Sequence, residues 1–369
     1  MTILITGGCG FLGSNIAAHF LSLGERVVVL DALLRHGSKL NLAWLESLAK
    51  PDQLTHCKVD TADAESMDSV FIKHGPFDYI CHLAGQVAMT TSLSDPRRDM
   101  LTNVVGGFNI LEASRKYCPD TLLAFSSTNK VYGDLRDFNY SETPTRYTVP
   151  EYPNGFDESL RLDFASPYGC SKGAADQYFR DWFRNFGLKT VVFRHSSIFG
   201  GRQFATYDQG WIGWFCQKAL EQKSERDAGK IITPFTISGT GKQVRDVLHA
   251  DDLISLYLAA YERRDTVAGE VFNIGGGIDN SLSLLELFNL LGDLLQLPLI
   301  SAISDDQSSI SHETPLAFQR LPRRQSDQDF FVADIAKAFR ILSWEPAVNS
   351  RNGVSRMLDW CSMEIKTNV

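Results

Sequence analysis

The stretch from residue 3 to residue 31 constrains the fold more than any other part of the chain. An apolar run, residues 3–6, passes directly into Gly7-Gly8-Cys9-Gly10-Phe11-Leu12-Gly13, and a helical pattern over residues 12–23 follows. Gly7, Gly10 and Gly13 stand in GxxGxxG spacing. Residues without side chains permit a tight turn there and let the backbone approach a pyrophosphate at the helix N-terminus, with Phe11 and Leu12 opening that helix. A second apolar run, residues 26–31, ends in Asp31, 18 residues after Gly13. A carboxylate at that strand end accepts hydrogen bonds from both adenosine ribose hydroxyls and repels a 2′-phosphate, so the pattern points to NAD over NADP. Arg35 lies nearby, in the loop where an arginine sometimes accepts that phosphate.

The first half of the chain repeats this alternation. Strands are expected at residues 54–60, 79–83, 122–126 and 190–194, with helices between them at 64–73, 104–117 and 172–186. Strand–helix alternation predicts an α/β fold, a Rossmann-type doubly wound parallel sheet, with ligands at the carboxyl ends of its strands. Asp60-Thr61 at the third strand end suit either the adenine amine or, for Asp60, a helix N-cap. Leu83-Ala84-Gly85 at the fourth let a cofactor lie close. The alternation breaks after Arg194. A helix near residues 211–221, a strand at 271–274 and a helix at 284–295 suggest a smaller second domain built from separate pieces. The expected division is 1–195 plus about 243–278 for NAD, and about 196–242 plus 279–369 for the substrate. The serine-rich, acidic stretch 301–318 reads as a surface excursion.

Tyr168 and Lys172 form a YxxxK pair. If Ser166-Pro167 opens a helix, both side chains lie on one face, one turn apart. A lysine beside a tyrosine favours the phenolate and makes a usable base of a group that titrates near 10. Ser126, Ser127 and Thr128 place hydroxyls at the edge of the sheet where chemistry is expected, and Thr128 is suited to orient a reacting hydroxyl.

The order GGxGxxG, Asp31, Leu-Ala-Gly, Ser-Ser-Thr-x-x-Val-Tyr-Gly and Tyr-x-x-x-Lys resembles the extended short-chain dehydrogenase/reductase family of nucleotide-sugar epimerases and dehydratases, over nearly the whole chain. Residues 84–92, 126–134 and 202–211 resemble the branch that inverts C2 of CDP-linked sugars. The resemblance implies that Tyr168 exchanges the proton of the C2 hydroxyl, that Lys172 holds the nicotinamide ribose and tunes Tyr168, and that Thr128 is the family's catalytic Ser/Thr. It also implies that Asn103 and the segment 195–197 (His195 against the cofactor, Ser197 against the sugar) lie near the reacting groups. Arg245 and Arg324 are implied to grip the diphosphate bidentately, with Gln86, Arg202 and Gln203 in the same cleft. A homo-oligomer, dimer or tetramer, follows from the same resemblance. Three alternatives stay open: another CDP- or UDP-sugar epimerase, a dehydratase and a nucleotide sensor. Against a dehydratase, Asn129-Lys130 follows Thr128 where those enzymes carry an acid pair. Against a sensor, the set Thr128, Tyr168 and Lys172 is intact.

Composition narrows the partners. With 44 acids against 36 bases the net charge is -8, so no general basic field for nucleic acid exists, and an anionic substrate must meet local cations. Seven scattered cysteines without a CxxC pair suit reduced thiols in the cytoplasm and offer no metal site. No apolar run reaches membrane-spanning length, and no targeting segment is expected at Met1.

Overall fold

The computed structural model describes residues 1–301, 313–324 and 327–367. Seven strands form the main sheet: β1 Thr2–Thr6, β2 Arg26–Leu30, β3 Leu54–Cys57, β4 Tyr79–His82, β5 Leu122–Thr128, β6 Thr190–His195 and β7 Val271–Ile274. Their spatial order is β7-β6-β5-β4-β1-β2-β3, and every pairing is parallel. Helices cover both faces, so the strands read as continuous apolar runs: Val27, Val28, Val29 and Leu30 are at most 1% exposed. One core lies on each face, one around Phe20 and Tyr257 and the other around Phe71 and Phe179. The strand order reverses direction at β1 and β4, which opens a crevice at their carboxyl ends.

Three boundaries bear on the site. Strand β5 runs two residues past its expected end, with Ser127 opposite Arg194 and Thr128 opposite His195; Thr128 therefore projects beyond β4. The helix expected at 172–186 starts earlier, at Pro167–Phe186, because Ser166 caps it and Pro167 occupies its first turn. Tyr168 thereby falls in the first turn, as it must if Ser166-Pro167 opens the helix. Third, β3 stops at Cys57, so Asp60 lies in the loop beyond it.

After β6 the chain builds a second group of short sheets. Ser197–Phe199, Ser281–Ser283 and Phe330–Phe331 all pair with Val244–His249, and Phe235–Ser238 pairs with Phe318–Leu321. By its pairing, Val244–His249 joins this second group, while the helix after it, Ala250–Glu262, packs on the main sheet's core. Helices Trp211–Asp227, Leu284–Leu295 and Ser350–Thr367 pack around a separate core of Phe215, Phe288, Met357 and Cys361. The stretch expected as a surface excursion differs in part. Residues 302–312 lie outside the described residues, but Leu316 and Ala317 are 0% and 5% exposed, because Gln222 holds both polar groups of Ala317. No helix among the described residues is long and apolar enough to cross a membrane.

Candidate active site

A cavity of about 850 Å³ runs from the glycine turn after β1, past the carboxyl ends of β4, β5 and β6, to Arg245 and Arg324 in the second group of strands. All the residues expected at the site line it except Asn103.

At one end the backbone makes a cradle. A Cβ on Gly7, whose φ is +67°, would lie 2.7 Å from the Ala84 nitrogen, and one on Gly13 would lie 2.2 Å from the Gly7 carbonyl. Only glycine allows that closeness, and it leaves the start of helix Phe11–Ser22 open to an anion. Asp31 is pinned above the turn: its carboxylate accepts the Cys9 N–H at 3.0 Å and the Leu33 N–H at 2.8 Å. Asp60 accepts from the Ala62 N–H at 3.0 Å and pairs with Arg98 at 2.8 Å. It does not cap the next helix; Asp63 does. Arg35 reaches across the cavity mouth and donates to Gln209.

At the centre stand Thr128, Tyr168 and Lys172. The Tyr168 phenol is 8% exposed. Burial pushes its pKa up to about 12, opposed by the hydrogen bond from Thr128 and the charge of Arg35. Lys172 donates to the Ser126 carbonyl at 2.8 Å, and burial brings its own pKa down to about 8, against the pull of Asp99 and Asp176. The groups that oppose burial and favour the Tyr168 phenolate here include Thr128 and Arg35. Thr128→Val removes a donor to the phenolate, so the ascending limb of the kcat–pH profile is expected to move to higher pH. A limb that stays put or moves down excludes Thr128 from that role.

Asn103 does not line the cavity. It is buried in a π-helical turn, Leu101–Val105, and braces the cavity wall from behind. Its carbonyl accepts the Gln86 N–H at 2.9 Å and its amide donates to Ser171 at 2.9 Å. Gln86 is likewise committed, donating to Ala88 O at 2.7 Å and Asp99 at 2.9 Å. The His195 Nδ1 meets Ser126 Oγ at 3.1 Å, and burial with Lys172 nearby depresses its pKa to about 3, so the ring is neutral. Its Nε2 is buried and has no hydrogen-bond partner among the described residues. The glycine cradle and Asp31, in one cavity, fit a dinucleotide lying along the strand ends.

The substrate-side residues divide. Arg245 donates to Asp327 at 2.8 Å and to the Gln328 carbonyl at 2.9 Å. Arg324 donates to Ser238 at 3.2 Å and packs 4.8 Å from the Tyr207 ring centroid. Arg202, by contrast, turns its guanidinium to Asn41 at 3.0 Å and to the Leu40 carbonyl, over the Trp44 ring; it clamps helix Ser38–Leu48 more than it serves the cleft. Gln203 donates to Ile198 O at 3.2 Å, and Ser197 accepts from Trp211 at 3.0 Å. Trp211 and Trp214 line the cavity while Ile212 and Cys216 face the core, so the aromatic stretch there does both jobs. Sequence reasoning assigned no role to Lys130 or Asp327, which also line the cavity. The placement of Lys130 two residues after Thr128 was the available signal.

Residues 3–275 match the NAD dependent epimerase/dehydratase family. The chain is 53% identical over 362 residues to a CDP-paratose 2-epimerase of Salmonella typhi, covering 98% of this chain and 99% of that one. It is 29% identical to a dTDP-glucose 4,6-dehydratase of Salmonella typhimurium, covering 98% and 92%. Its fold is similar to that of a UDP-glucose 4-epimerase of Thermotoga maritima solved with UDP-glucose, at a TM-score of 0.75 and 27% identity over 99% of this chain and all of the other. With the glycine cradle, Asp31 and the Thr128–Tyr168–Lys172 set in one cavity, these matches show that the chain belongs to the NAD dependent epimerase/dehydratase family and is an NAD-dependent epimerase.

Proposed function

We propose that this enzyme inverts C2 of CDP-paratose to give CDP-tyvelose. The observation that carries the reading is the 53% identity, spread over 98% of the chain, to a relative named for that reaction. The geometry supports it. Tyr168 and Thr128 share a cavity with Arg245 and Arg324, and the Thr128 hydroxyl favours the Tyr168 phenolate. Elimination chemistry needs an acid beside Thr128; the residues there are Asn129, which donates to Gln328 at 3.0 Å, and Lys130.

In this reading residues 1–195 with about 243–278 hold NAD, and the remainder holds the nucleotide-sugar. The glycine cradle, Asp31, Gly85 and Lys172 are the NAD residues, and bound NAD supplies hydride acceptance and return at C2. Tyr168 takes the C2 hydroxyl proton as the ketone forms and returns it afterwards, so one residue serves as base and acid. Thr128 orients that hydroxyl. Arg245 and Arg324 keep the diphosphate, so the 2-keto sugar stays bound while it presents its other face. The enzyme is placed in the cytoplasm, which its seven unpaired cysteines suit. It is placed in a homo-oligomer, supported by Phe108, Tyr178 and Phe186, which are 41%, 41% and 52% exposed on neighbouring helices.

The test is CDP-paratose carrying deuterium at C2, followed by NMR. The expected product is inverted at C2 and retains the label there, because the hydrogen returns to the carbon it left. Inversion at C4, or activity confined to UDP-sugars, overturns the substrate. Loss of the label to water overturns the hydride route.

A further inference from the structure

Strand β5 ends in Ser126-Ser127-Thr128, and Thr128 caps the 3₁₀ turn Asn129–Tyr132. The Lys130 backbone N–H donates to Thr128 Oγ1 at 3.2 Å, so the Lys130 backbone is tied to the hydroxyl that favours the Tyr168 phenolate. The Lys130 side chain, 18% exposed, lines the cavity and approaches Asp327 Oδ1 at 3.8 Å. The same oxygen takes Arg245 at 2.8 Å. A lysine and an arginine thus share one carboxylate oxygen, and the charges of Arg323 and Arg324 also bear on Asp327. Burial and Arg245 together lower the Lys130 pKa to about 8. Like charges gathered around one acid in a cavity wall are arranged for an incoming anion of more than one charge.

The chemistry of the sugar says which anion. The C2 hydroxyl neighbours the anomeric carbon that bears the phosphate, whereas the C4 hydroxyl stands across the ring. With C2 against Tyr168 the sugar-bearing phosphate is held nearer that tyrosine than with C4 there, and Lys130 lines the same cavity beside the Arg245–Asp327 pair. We propose that Lys130 binds the β-phosphate of the nucleotide-sugar and so registers C2 against Tyr168, making it a specificity-determining residue. This rests on the assignment of the diphosphate to Arg245 and of the reaction to C2.

The test uses the purified enzyme with its own NAD, and CDP and CMP as probes. Lys130→Met is expected to lower the preference for CDP over CMP by about 10- to 100-fold, the loss of one charge-assisted hydrogen bond. CMP affinity stays unchanged, Lys130→Arg keeps the preference, and kcat falls together with CDP affinity because the lost contact adjoins the reacting carbon. A purely structural lysine moves CDP and CMP together, and that result, or an unchanged ratio, overturns the proposal. NAD content checks folding; if Lys130→Met loses NAD, Lys130→Gln is read by the same ratio. Failure of the substrate reading shows separately, as wild-type preference for another base or inversion at C4. The diphosphate-to-monophosphate ratio is then read on that base, and a retained drop at Lys130 upholds the phosphate contact but overturns the registration of C2.

Discussion

Tyr168→Phe is expected to lower kcat by about 10²–10⁴, the range for removal of a general acid–base group. The substitution deletes a single oxygen from a ring that is already packed, so the fold has no reason to respond. Nucleotide-sugar affinity should hold within experimental error, because the cations around Arg245 and Arg324 are untouched. NAD content should hold as well, since the glycine cradle and Asp31 lie at the other end of the cavity. Lys172 is poorly placed to substitute: its ammonium donates to the Ser126 carbonyl at 2.8 Å, an acceptor the fold supplies. Single-turnover rates with calorimetric binding of the nucleotide-sugar separate these effects. Turnover near the parent rate removes Tyr168 from the chemistry. A loss of binding equal to the loss of rate makes it a substrate anchor only.

What the chain disclosed by sequence alone was what depends on neighbours along the chain. The GxxGxxG turn, Asp31 at the next strand end and the Tyr168–Lys172 spacing are local patterns, and the structure brings them into one cavity. The parallel sheet follows from a run of strands and helices that each carry their own periodicity. What stayed hidden depends on residues far apart in sequence. Arg35 influences Tyr168 across the cavity, and no spacing rule connects a loop after β2 to a helix after β5. Arg202 sits in a stretch that resembles a substrate segment, yet its guanidinium is taken by Asn41, on a helix near the N-terminus. Lys130 and Asp327 meet across nearly 200 residues of chain, where Gln328 ties its segment to the turn after β5, donating to the Gly133 carbonyl at 2.7 Å and accepting from Asn129. The helix Ser350–Thr367 was not anticipated either: its buried positions, Val354, Met357, Leu358 and Cys361, are spaced for a helix but interrupted by charge.

Asp176→Ala is expected to destabilise the enzyme by about 3–5 kcal/mol, the usual cost of breaking a buried ion pair by removing one partner. Asp176 is 0% and Arg194 3% exposed. The pair is bidentate, with Nε and Nη2 of Arg194 each 2.8 Å from a carboxylate oxygen. Ser127 donates to the same carboxylate at 2.8 Å, and Arg194 Nη1 donates to the Tyr132 hydroxyl at 2.9 Å, which in turn donates to Asn273 at 2.7 Å. One network therefore joins β5, β6 and β7 to the helix carrying Tyr168 and Lys172. Alanine leaves the guanidinium buried without a counter-charge, and denaturant unfolding should show a lower midpoint. The double variant Asp176→Leu with Arg194→Met should recover much of the loss, because it removes both charges and leaves apolar groups of similar size. A double variant as unstable as the single one shows that packing, not stranded charge, sets the penalty. The charge also reaches the chemistry. Asp176 lies one turn beyond Lys172 and favours its ammonium. In any Asp176→Ala protein that folds, the Lys172 pKa moves further down from about 8. More of the lysine is then neutral at a given alkaline pH, and the alkaline limb of activity is expected to fall at lower pH than in the parent.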